Sequence, residues 1–194
     1  MRIVLGITGA SGVIYGIKTL EALSERGAEV HLIVSDIAKK IIAQETTYKI
    51  PSLKKLASKI YDNSDMFGAP ASGSFLFDGM VVAPCSMKTL ASVSSGYTDN
   101  LIARAADVCL KEKRKLILVP RETPLSIVHI KNMLSAAEAG AVMLPAMPAF
   151  YHEPKGTDEL VDYVVSRILN ALGMDNKIIK GWVDVPHKRG RSGI

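Results

Sequence analysis

Short apolar runs rich in Val, Ile and Leu alternate along this chain with longer stretches of helical periodicity. The apolar runs cover residues 3–8, 30–34, 80–83, 116–119 and 142–144. Such runs, bounded by Gly, Pro, Ser or Asp, are typical of strands buried on both faces of a sheet. Because strands that alternate with helices form βαβ units, we predict an α/β fold: a three-layer, doubly wound parallel sheet of the flavodoxin or Rossmann kind.

The helical stretches end at recognisable residues. They cover residues 13–26, 37–45, 87–93, 100–111, 127–139 and 158–172. Gly27 and Gly173 are expected to stop the first and last of these helices, and Thr157 is the expected N-cap of the last. Residues 52–61 are interpreted as an irregular amphipathic segment and residues 68–74 as a loop. We predict one domain over 1–180, followed by a basic tail over 181–194.

The composition narrows the class of protein. With 194 residues, 48% hydrophobic content and only 6% aromatics, the chain has the size and content of one α/β domain. No apolar run reaches bilayer length and no leader-like arrangement precedes the first strand, so we expect a cytoplasmic protein without membrane association. Cys85 and Cys109 are too few for a disulfide framework or a multi-cysteine metal site, and we expect both to be buried.

The net charge of +5 comes from two basic clusters, residues 111–115 and 177–191. An excess of this kind is compatible with nucleic-acid binding, but no aromatic residues are interleaved to stack on bases. The clusters are more typical of solvated faces or small-anion sites. A nucleic-acid partner is therefore not expected, and binding that weakens steeply with salt is its distinguishing test.

Two strand ends open into loops suited to phosphate. Gly6-Ile-Thr-Gly-Ala-Ser-Gly12 follows the first strand, and its glycines allow the backbone to approach an anion at the start of the next helix. Its spacing is not G-x-G-x-x-G, and it lacks the Lys of a Walker loop, so a mononucleotide is favoured over NAD or ATP. The alternative is a glycine-rich turn required only for packing.

Hydroxyl groups follow the other strand ends. Ser35 ends the second predicted strand, and Ala83-Pro-Cys-Ser-Met-Lys-Thr89 ends the third. Since ligands of open parallel sheets bind outside the carboxyl ends of the strands, Ser11, Ser35, Ser86, Lys88 and Thr89 are predicted to converge there. Helix capping by Ser35 and Ser86 is the alternative, and it is compatible with ligand contact.

Six segments together resemble the flavin prenyltransferases of the UbiX type, nearly from end to end of the chain. They are Gly-Ile-Thr-Gly-Ala-Ser-Gly at 6–12, Ala-Ser-Gly-Ser-Phe at 71–75, Val-Val-Ala-Pro-Cys-Ser-Met-Lys-Thr-Leu-Ala at 81–91, Asp-Asn-Leu-Ile-Ala-Arg-Ala-Ala-Asp-Val at 99–108, Leu-Val-Pro-Arg-Glu-Thr-Pro-Leu-Ser at 118–126 and Pro-Ala-Met-Pro-Ala-Phe-Tyr at 145–151. The resemblance implies that a dimethylallyl group from dimethylallyl monophosphate is joined to N5 and C6 of reduced FMN. It also implies a partner decarboxylase that receives the prenylated FMN, and a homo-oligomer, a dodecamer in the family, with sites between subunits.

The resemblance assigns expected roles to individual residues. The expected FMN-binding residues are Gly9, Ala10, Ser11, Ser35, Ser86, Met87, Lys88, Thr89 and Arg121. The expected proton-handling residues are Ser11, Glu45 and Glu122. The expected residues for the prenyl phosphate are Arg104, Lys111, Arg121, Tyr151 and Arg167.

Each of these roles has a plainer alternative. Glu122 is interpreted as the acid that protonates the departing phosphate and later accepts a ring proton, and a salt bridge to Arg121 or Arg104 is its alternative. Lys111 and Arg167 could belong to solvated helix faces, and Tyr151 could be a packing residue. The small residues around Arg104, in 101–108, would permit close helix packing and favour a symmetric assembly.

The chain has no adjacent pair of Asp residues and no His/Asp/Glu grouping at metal-ligand spacing, so we expect ionisation of the allylic phosphate without a metal. Two other functions stay open at this point. A flavin-dependent cysteine decarboxylase shares the fold but relies on a catalytic His and an Asn-rich motif, where this chain has residues 84–89. A non-catalytic FMN carrier would need the two phosphate-binding loops. That function does not explain why Tyr151 should lie together with Lys111, Arg121 and Arg167.

Overall fold

Six parallel strands form one sheet in the computed structural model, which describes residues 1–182. The strands are β1 (Arg2–Ile7), β2 (Glu29–Val34), β3 (Lys59–Asp62), β4 (Gly79–Cys85), β5 (Lys115–Pro120) and β6 (Val142–Met143). They lie in the order β3-β2-β1-β4-β5-β6, and every neighbouring pair is parallel. This is the strand order of a Rossmann sheet. The predicted fold class is confirmed.

Helices cover both faces of the sheet. They are α1 (Val13–Glu25), α2 (Asp36–Glu45), α3 (Ile50–Leu53), α4 (Met87–Ser95), α5 (Leu101–Lys111), α6 (Ile127–Glu138) and α7 (Thr157–Leu172). Ile17 of α1 and Ile168 of α7 share one buried cluster with Leu5. Leu90 of α4 shares the other cluster with Val4 and with the buried face of α5. Adjacent residues of β1 thus face opposite layers, which explains why the strands are apolar throughout.

The order of the strands places a crevice beside β1. The chain winds from β1 outward to β2 and β3, then returns to β4 on the other side of β1. Loops that follow β1 and β4 therefore diverge, and the carboxyl ends of these strands form the switch point at which such sheets bind ligands. Both of the loops singled out in the sequence lie at this point.

The structure corrects two predicted elements. Residues 52–61 contain the end of α3 and most of strand β3, not one irregular segment. With only four residues and an exposed Lys59 and Asp62, this edge strand gives little periodic signal. Thr157 is the first residue of α7 and Gly156 is its cap position, without a side-chain hydrogen bond. Gly27 and Gly173 do adopt left-handed backbone conformations, with φ of 68° and 83°.

The small residues of α5 pack inside the subunit. Ala103, Ala105 and Ala106 are all buried against the chain's own sheet, so they are not exposed for contact with another copy. Of the predicted tail, the structure describes Gly181 and Trp182, and residues 183–194 lie outside the described part. Within residues 1–182 no helix combines the length and apolarity needed to cross a bilayer.

Candidate functional site

Thr8 joins the two loops at the switch point. Its buried hydroxyl donates a hydrogen bond to the carbonyl of Pro84 at 2.7 Å and accepts one from the backbone N–H of Ser86 at 2.8 Å. One side chain at the end of β1 thereby fixes the loop after β4. Thr8 was not among the predicted site residues, although it lies within the glycine-rich segment at 6–12.

Three helices begin at this edge of the sheet. Ser35 accepts a hydrogen bond from the N–H of Ala38 at the start of α2, and Ser86 accepts one from the N–H of Thr89 at the start of α4. Gly12, with φ of 91°, occupies the cap position of α1. Because free N–H groups and the positive end of the dipole lie at a helix start, the three helices together favour an anion here. The capping alternative for Ser35 and Ser86 is correct, and both residues also line the cavity described next.

A cavity of about 710 Å³ opens between these helix starts. Its lining residues are Thr8, Gly9, Ala10, Ser11, Ser35, Asp36, Ile37, Asn63, Ser86, Met87, Lys88, Thr89, Asn100, Ile102, Arg121 and Glu122. All nine residues predicted to bind the cofactor are among them, as is Glu122. The structure thus brings together residues that the sequence separates by more than a hundred positions.

Six lining residues were missed: Thr8, Asp36, Ile37, Asn63, Asn100 and Ile102. Asn63 follows β3, so the rule that ligands bind at the carboxyl ends of strands would have found it had that strand been predicted. Its side-chain carbonyl accepts a hydrogen bond from the N–H of Ile102 at 3.0 Å, and its backbone carbonyl accepts one from the N–H of Leu101. This amide fixes the start of α5 beside the cavity.

The chemistry of the cavity fits a flavin mononucleotide. Its volume lies within the range usual for cofactor sites. Ser11, Ser86 and Thr89 offer hydroxyls beside the helix starts, while Ile37 and Met87 offer apolar surface for a flat ring. Lys88 is already paired with Asp99 at 3.0 Å, and this ion pair lowers the pKa of the Asp99 carboxyl.

Glu45 supports the loop that carries Ser11. Its carboxylate accepts a hydrogen bond from the N–H of Gly12 at 2.8 Å, which links the end of α2 to the start of α1. Glu45 itself does not line the large cavity. Its observed role is therefore to fix the loop next to Ser11, and its predicted part in proton transfer stays a prediction.

A smaller cavity of about 330 Å³ adjoins the large one, and Ser11, Arg121 and Glu122 line both. Its other walls are Gly12, Tyr15, Pro120, Thr123, Ala146 and Met147. Glu122 accepts a hydrogen bond from the N–H of Thr123 at 3.0 Å, whereas Arg104 pairs with Asp107. Within residues 1–182 neither Arg121 nor Glu122 belongs to an ion pair, so the salt-bridge alternative for Glu122 is not observed.

Tyr151 and Arg167 meet in a third cavity, of about 590 Å³, which Lys177, Lys180 and Trp182 also line. The ring of Trp182 packs edge-on against Tyr151, with ring centroids 5.2 Å apart. Three cations and a phenol around one cavity favour an anionic ligand. This cavity shares no lining residue with the two that contain Arg121 and Glu122.

Arg104 and Lys111 lie apart from these cavities within one chain. Both belong to α5, on the face of the sheet opposite α7. Arg104 also donates to the carbonyl of Ala71, and Lys111 pairs with Glu112. No single cavity therefore contains all five residues predicted for the prenyl phosphate, although Arg167 also lines a cavity of about 490 Å³ together with Met147, a wall of the small cavity.

Both cysteines are buried, as predicted, and burial raises the pKa of Cys85 and Cys109 to about 12. At mildly alkaline pH each thiol should hold about a thousandfold less thiolate than an ordinary cysteine, and only the thiolate reacts. We therefore expect iodoacetamide to leave the folded protein unmodified and to label both cysteines in denaturant, as measured by intact mass. Rapid labelling of the native protein would contradict this result.

No group of three or more His, Cys, Asp and Glu side chains suited to a metal ion occurs in the described part of the chain.

Comparison with known proteins gives the following relationships. The model of the Flavoprotein family matches residues 1–173. The flavin prenyltransferase UbiX of Methanocaldococcus jannaschii is 50% identical over 182 residues, which cover 94% of this chain and 98% of that protein.

Two solved structures are similar along nearly the whole chain. AnUbiX (PadA1) in complex with FMN and dimethylallyl pyrophosphate is 46% identical, with a TM-score of 0.92 over 93% of this chain and 96% of that one. A dodecameric FMN-dependent UbiX-like decarboxylase from Escherichia coli O157:H7 is also 46% identical, with a TM-score of 0.91 over 94% of this chain and 99% of that one.

Proposed function

The chain belongs to the Flavoprotein family, among its UbiX-type flavin prenyltransferases, and we propose that it joins a dimethylallyl group from dimethylallyl monophosphate to N5 and C6 of reduced FMN. The observation that carries the proposal is the pair of adjoining cavities that share Ser11, Arg121 and Glu122. The large cavity suits FMN and the small one suits a five-carbon chain. The shared residues stand where the two molecules would meet.

The large cavity would hold FMN through the residues that line it. The starts of α1, α2 and α4 and the hydroxyls of Ser35, Ser86 and Thr89 would bind its phosphate and polar edge, while Ile37 and Met87 would contact its ring. When bound in its reduced form, FMN supplies two electron-rich atoms, N5 and C6, as the acceptors of the prenyl group.

The small cavity would hold the dimethylallyl chain and exclude water. Tyr15, Ala146 and Met147 give one wall of it apolar surface, opposite the polar Ser11, Arg121 and Glu122. A carbocation-like allylic group must be shielded from water to react with the flavin instead. Burial raises the pKa of the Tyr15 phenol, and the nearby Arg121 guanidinium partly offsets this rise. Tyr15 therefore stays a neutral wall at physiological pH.

Glu122 would handle the protons of the reaction. As the bond from carbon to phosphate oxygen breaks, its electron pair leaves with the phosphate, and a carboxylic acid at this position can donate a proton to that oxygen. The second bond would form between C6 and the branched carbon of the prenyl C=C bond as that π bond breaks and its other carbon takes up a proton, and the Glu122 carboxylate could then accept the proton lost from C6. Ser11, held by the loop that Glu45 supports, would relay the proton of N5.

The cations assigned to the phosphate do not converge in one chain, which favours a site completed by a second subunit. Tyr151 and Arg167 provide one anion-binding cavity, while Lys111 and Arg104 lie on the far side of the sheet. Arg121 lies between the flavin and prenyl cavities. The family resemblance implied sites between subunits, and the separation of these residues agrees with that arrangement.

Replacement of Arg167 by Met tests the phosphate assignment. Met resembles the aliphatic part of the Arg side chain but has no guanidinium, so the cavity that Tyr151 lines loses one of its three cations. Hydrogen bonds to charged groups contribute about 1.5–3 kcal/mol, so we expect KM for dimethylallyl phosphate to rise by roughly ten- to a hundredfold. The Kd for FMN should not change. Steady-state kinetics and a flavin titration measure the two quantities, and Lys155→Met is a matched control because Lys155 lies outside this cavity.

The reaction itself is tested by the mass of the flavin. Protein, reduced FMN and dimethylallyl monophosphate are incubated anaerobically with EDTA, and the mass of the extracted flavin is measured by mass spectrometry. We expect a gain equal to C5H8. A protein that only carries FMN would bind the flavin without this gain in mass, and a nucleic-acid binder would not bind FMN. If activity returned only after magnesium was added, the reaction would need a metal, contrary to our expectation.

The decarboxylase alternative makes a different prediction. The relative from Escherichia coli O157:H7 is described as a decarboxylase. At residues 84–89, however, this chain resembles the prenyltransferases and lacks the Asn-rich motif expected of a cysteine decarboxylase. Release of CO₂ from a peptide with a C-terminal cysteine would support that alternative. Transfer of prenylated FMN to a partner decarboxylase, and the cytoplasmic location, remain predictions.

A further inference from the structure

Glu45 needs support from elsewhere in the chain to stay at Gly12. It is the last residue of α2 and is exposed, yet its carboxylate accepts the hydrogen bond from the Gly12 N–H at 2.8 Å. A long exposed side chain loses rotamer entropy when it is held in one place. The helix also ends at Thr46 in an extended conformation, without a glycine cap. The position of Glu45 therefore depends on what holds the chain just after α2.

Tyr48 holds this part of the chain against α1. Its hydroxyl donates a hydrogen bond to Glu21 Oε1 at 2.7 Å, and its backbone N–H donates one to the Thr46 hydroxyl at 3.2 Å. The other carboxylate oxygen of Glu21 pairs with Lys18 Nζ at 2.7 Å. The ring of Tyr48 is partly buried against the core cluster that contains Ile17. We call Lys18, Glu21 and Tyr48 the Tyr48 cluster.

The charges within the Tyr48 cluster strengthen its hydrogen bonds. The side chains of Lys18 and Glu21 are 33% and 24% exposed, so water screens their pairing only in part. The hydrogen bond with Glu21 raises the pKa of Lys18, and the hydrogen bond to Glu21 also raises the pKa of the Tyr48 phenol. Lys18 is therefore charged and Tyr48 is a neutral donor at physiological pH. A hydrogen bond to a charged acceptor is stronger than one between neutral groups.

Two hydrogen bonds thus join α1 to the end of α2. Gly12 stands at the start of α1, and Glu21 lies nine residues further on, about 13 Å along the helix axis. Glu45 and Tyr48, which bind at these two points, are only three residues apart. The chain between them is therefore held along α1 at both ends. If the bond at Glu21 is lost, the bond at Gly12 alone must hold an exposed helix end.

We propose that Tyr48 is a positioning residue for prenyl transfer: bound to Glu21, it keeps the Glu45 carboxylate on the Gly12 N–H and so fixes the loop that places Ser11 between the two cavities. This inference rests on the proposed function, in which Ser11 relays the proton of N5. Tyr48 lines neither cavity, so its effect reaches the reaction only through Glu45. The starts of α2 and α4 would still hold FMN without it.

The test compares Tyr48→Phe with Tyr97→Phe. Phe keeps the ring of Tyr48 but removes the hydroxyl that donates to Glu21. Loss of one hydrogen bond to a charged group should make the Gly12 amide exchange its hydrogen about tenfold faster and make prenyl transfer about tenfold slower. The Kd for FMN should not change. Tyr97 is 62% exposed and lines none of the cavities described, so Tyr97→Phe should match the wild type in all three quantities. Hydrogen-exchange mass spectrometry, single-turnover rates and a flavin titration measure them.

A double-variant cycle separates positioning from a general loss of stability. If Tyr48 acts through Glu45, adding Tyr48→Phe to Glu45→Ala should slow prenyl transfer no further than Glu45→Ala alone. Two independent effects would multiply instead. Multiplied losses, unchanged exchange at Gly12 or unchanged transfer in Tyr48→Phe would each overturn the inference. A wild-type protein that makes no prenylated FMN would contradict the proposed function, whereas exchange at Gly12 would still report whether Tyr48 holds Glu45 in place.

Discussion

Replacement of Glu122 by Gln should slow prenyl transfer by about 10²–10⁴-fold, the usual contribution of a general acid–base group, while FMN binding stays unchanged. Gln keeps the size of the side chain and a carbonyl oxygen that can accept the 3.0 Å hydrogen bond from the N–H of Thr123. It can neither give a proton to the departing phosphate nor accept one from the ring. Single-turnover rates with reduced FMN measure the loss.

The control for this variant is Glu25→Gln, at the exposed end of α1 and away from both cavities. It should transfer the prenyl group at the wild-type rate. If Glu122→Gln turns over as fast as Glu25→Gln, Glu122 has no proton-handling role, and Ser11 becomes the candidate to test next. A raised Kd for FMN with an unchanged rate of transfer would assign Glu122 to binding alone.

Replacement of Gly16 by Ala should lower the free energy of unfolding by roughly 3 kcal/mol, the upper end of the usual range for overpacking and a large effect for a single methyl group. A Cβ on Gly16 would lie 2.1 Å from the carbonyl oxygen of Ala83 and 2.9 Å from the side chain of Ile7. Helix α1 therefore packs directly on the backbone of β4 at Ala83, close to the loop that follows this strand. We expect this loss of stability even though Ala is more favourable than Gly within a helix by about 1 kcal/mol.

Thermal unfolding measures this effect, since 1 kcal/mol shifts the Tm of a domain of this size by roughly 2–4 °C. Gly156→Ala is the control, because a Cβ there meets nothing within 4 Å and the backbone is extended, with φ of −167°. Because Ala is a poorer N-cap than Gly, its Tm should fall by no more than roughly 4 °C, well short of the loss expected for Gly16→Ala. Gly16→Ala should also weaken FMN binding, because the displaced β4 carries the loop that Thr8 holds. A wild-type Tm for Gly16→Ala would show that α1 can shift from the sheet without cost.

The sequence predicts the sheet and the flavin side of the site well, for a physical reason. Strands buried on both faces are apolar throughout, and the loops after β1 and β4 carry small and hydroxyl residues whose positions follow once a parallel sheet is assumed. All the residues assigned to FMN accordingly line one cavity. Strand β3 was missed because an edge strand of four residues carries little pattern, and Asn63 was missed with it.

The residues that would bind the prenyl phosphate could not be grouped from the sequence in this way, because they do not all lie at strand ends of one sheet edge. Tyr151 and Arg167 meet because the segment before α7 folds back on the helix, a tertiary contact that no periodicity predicts. Lys111 lies on the opposite face of the sheet, so any site that includes both Lys111 and Arg167 depends on contacts between copies. The exposure of Ile127, Ile130 and Leu134 on α6 was likewise not predicted, because a sequence pattern does not show which of two apolar faces of a helix meets the sheet.

The most direct test of prenyl transfer to N5 and C6 is the position of the new bonds. Reduced FMN and ¹³C-labelled dimethylallyl monophosphate are incubated with the protein and EDTA, and the extracted flavin is studied by NMR. We predict labelled carbons bonded to both N5 and C6, with one phosphate released per product. Label recovered only as free dimethylallyl alcohol, or bonded elsewhere on the flavin, would contradict the account.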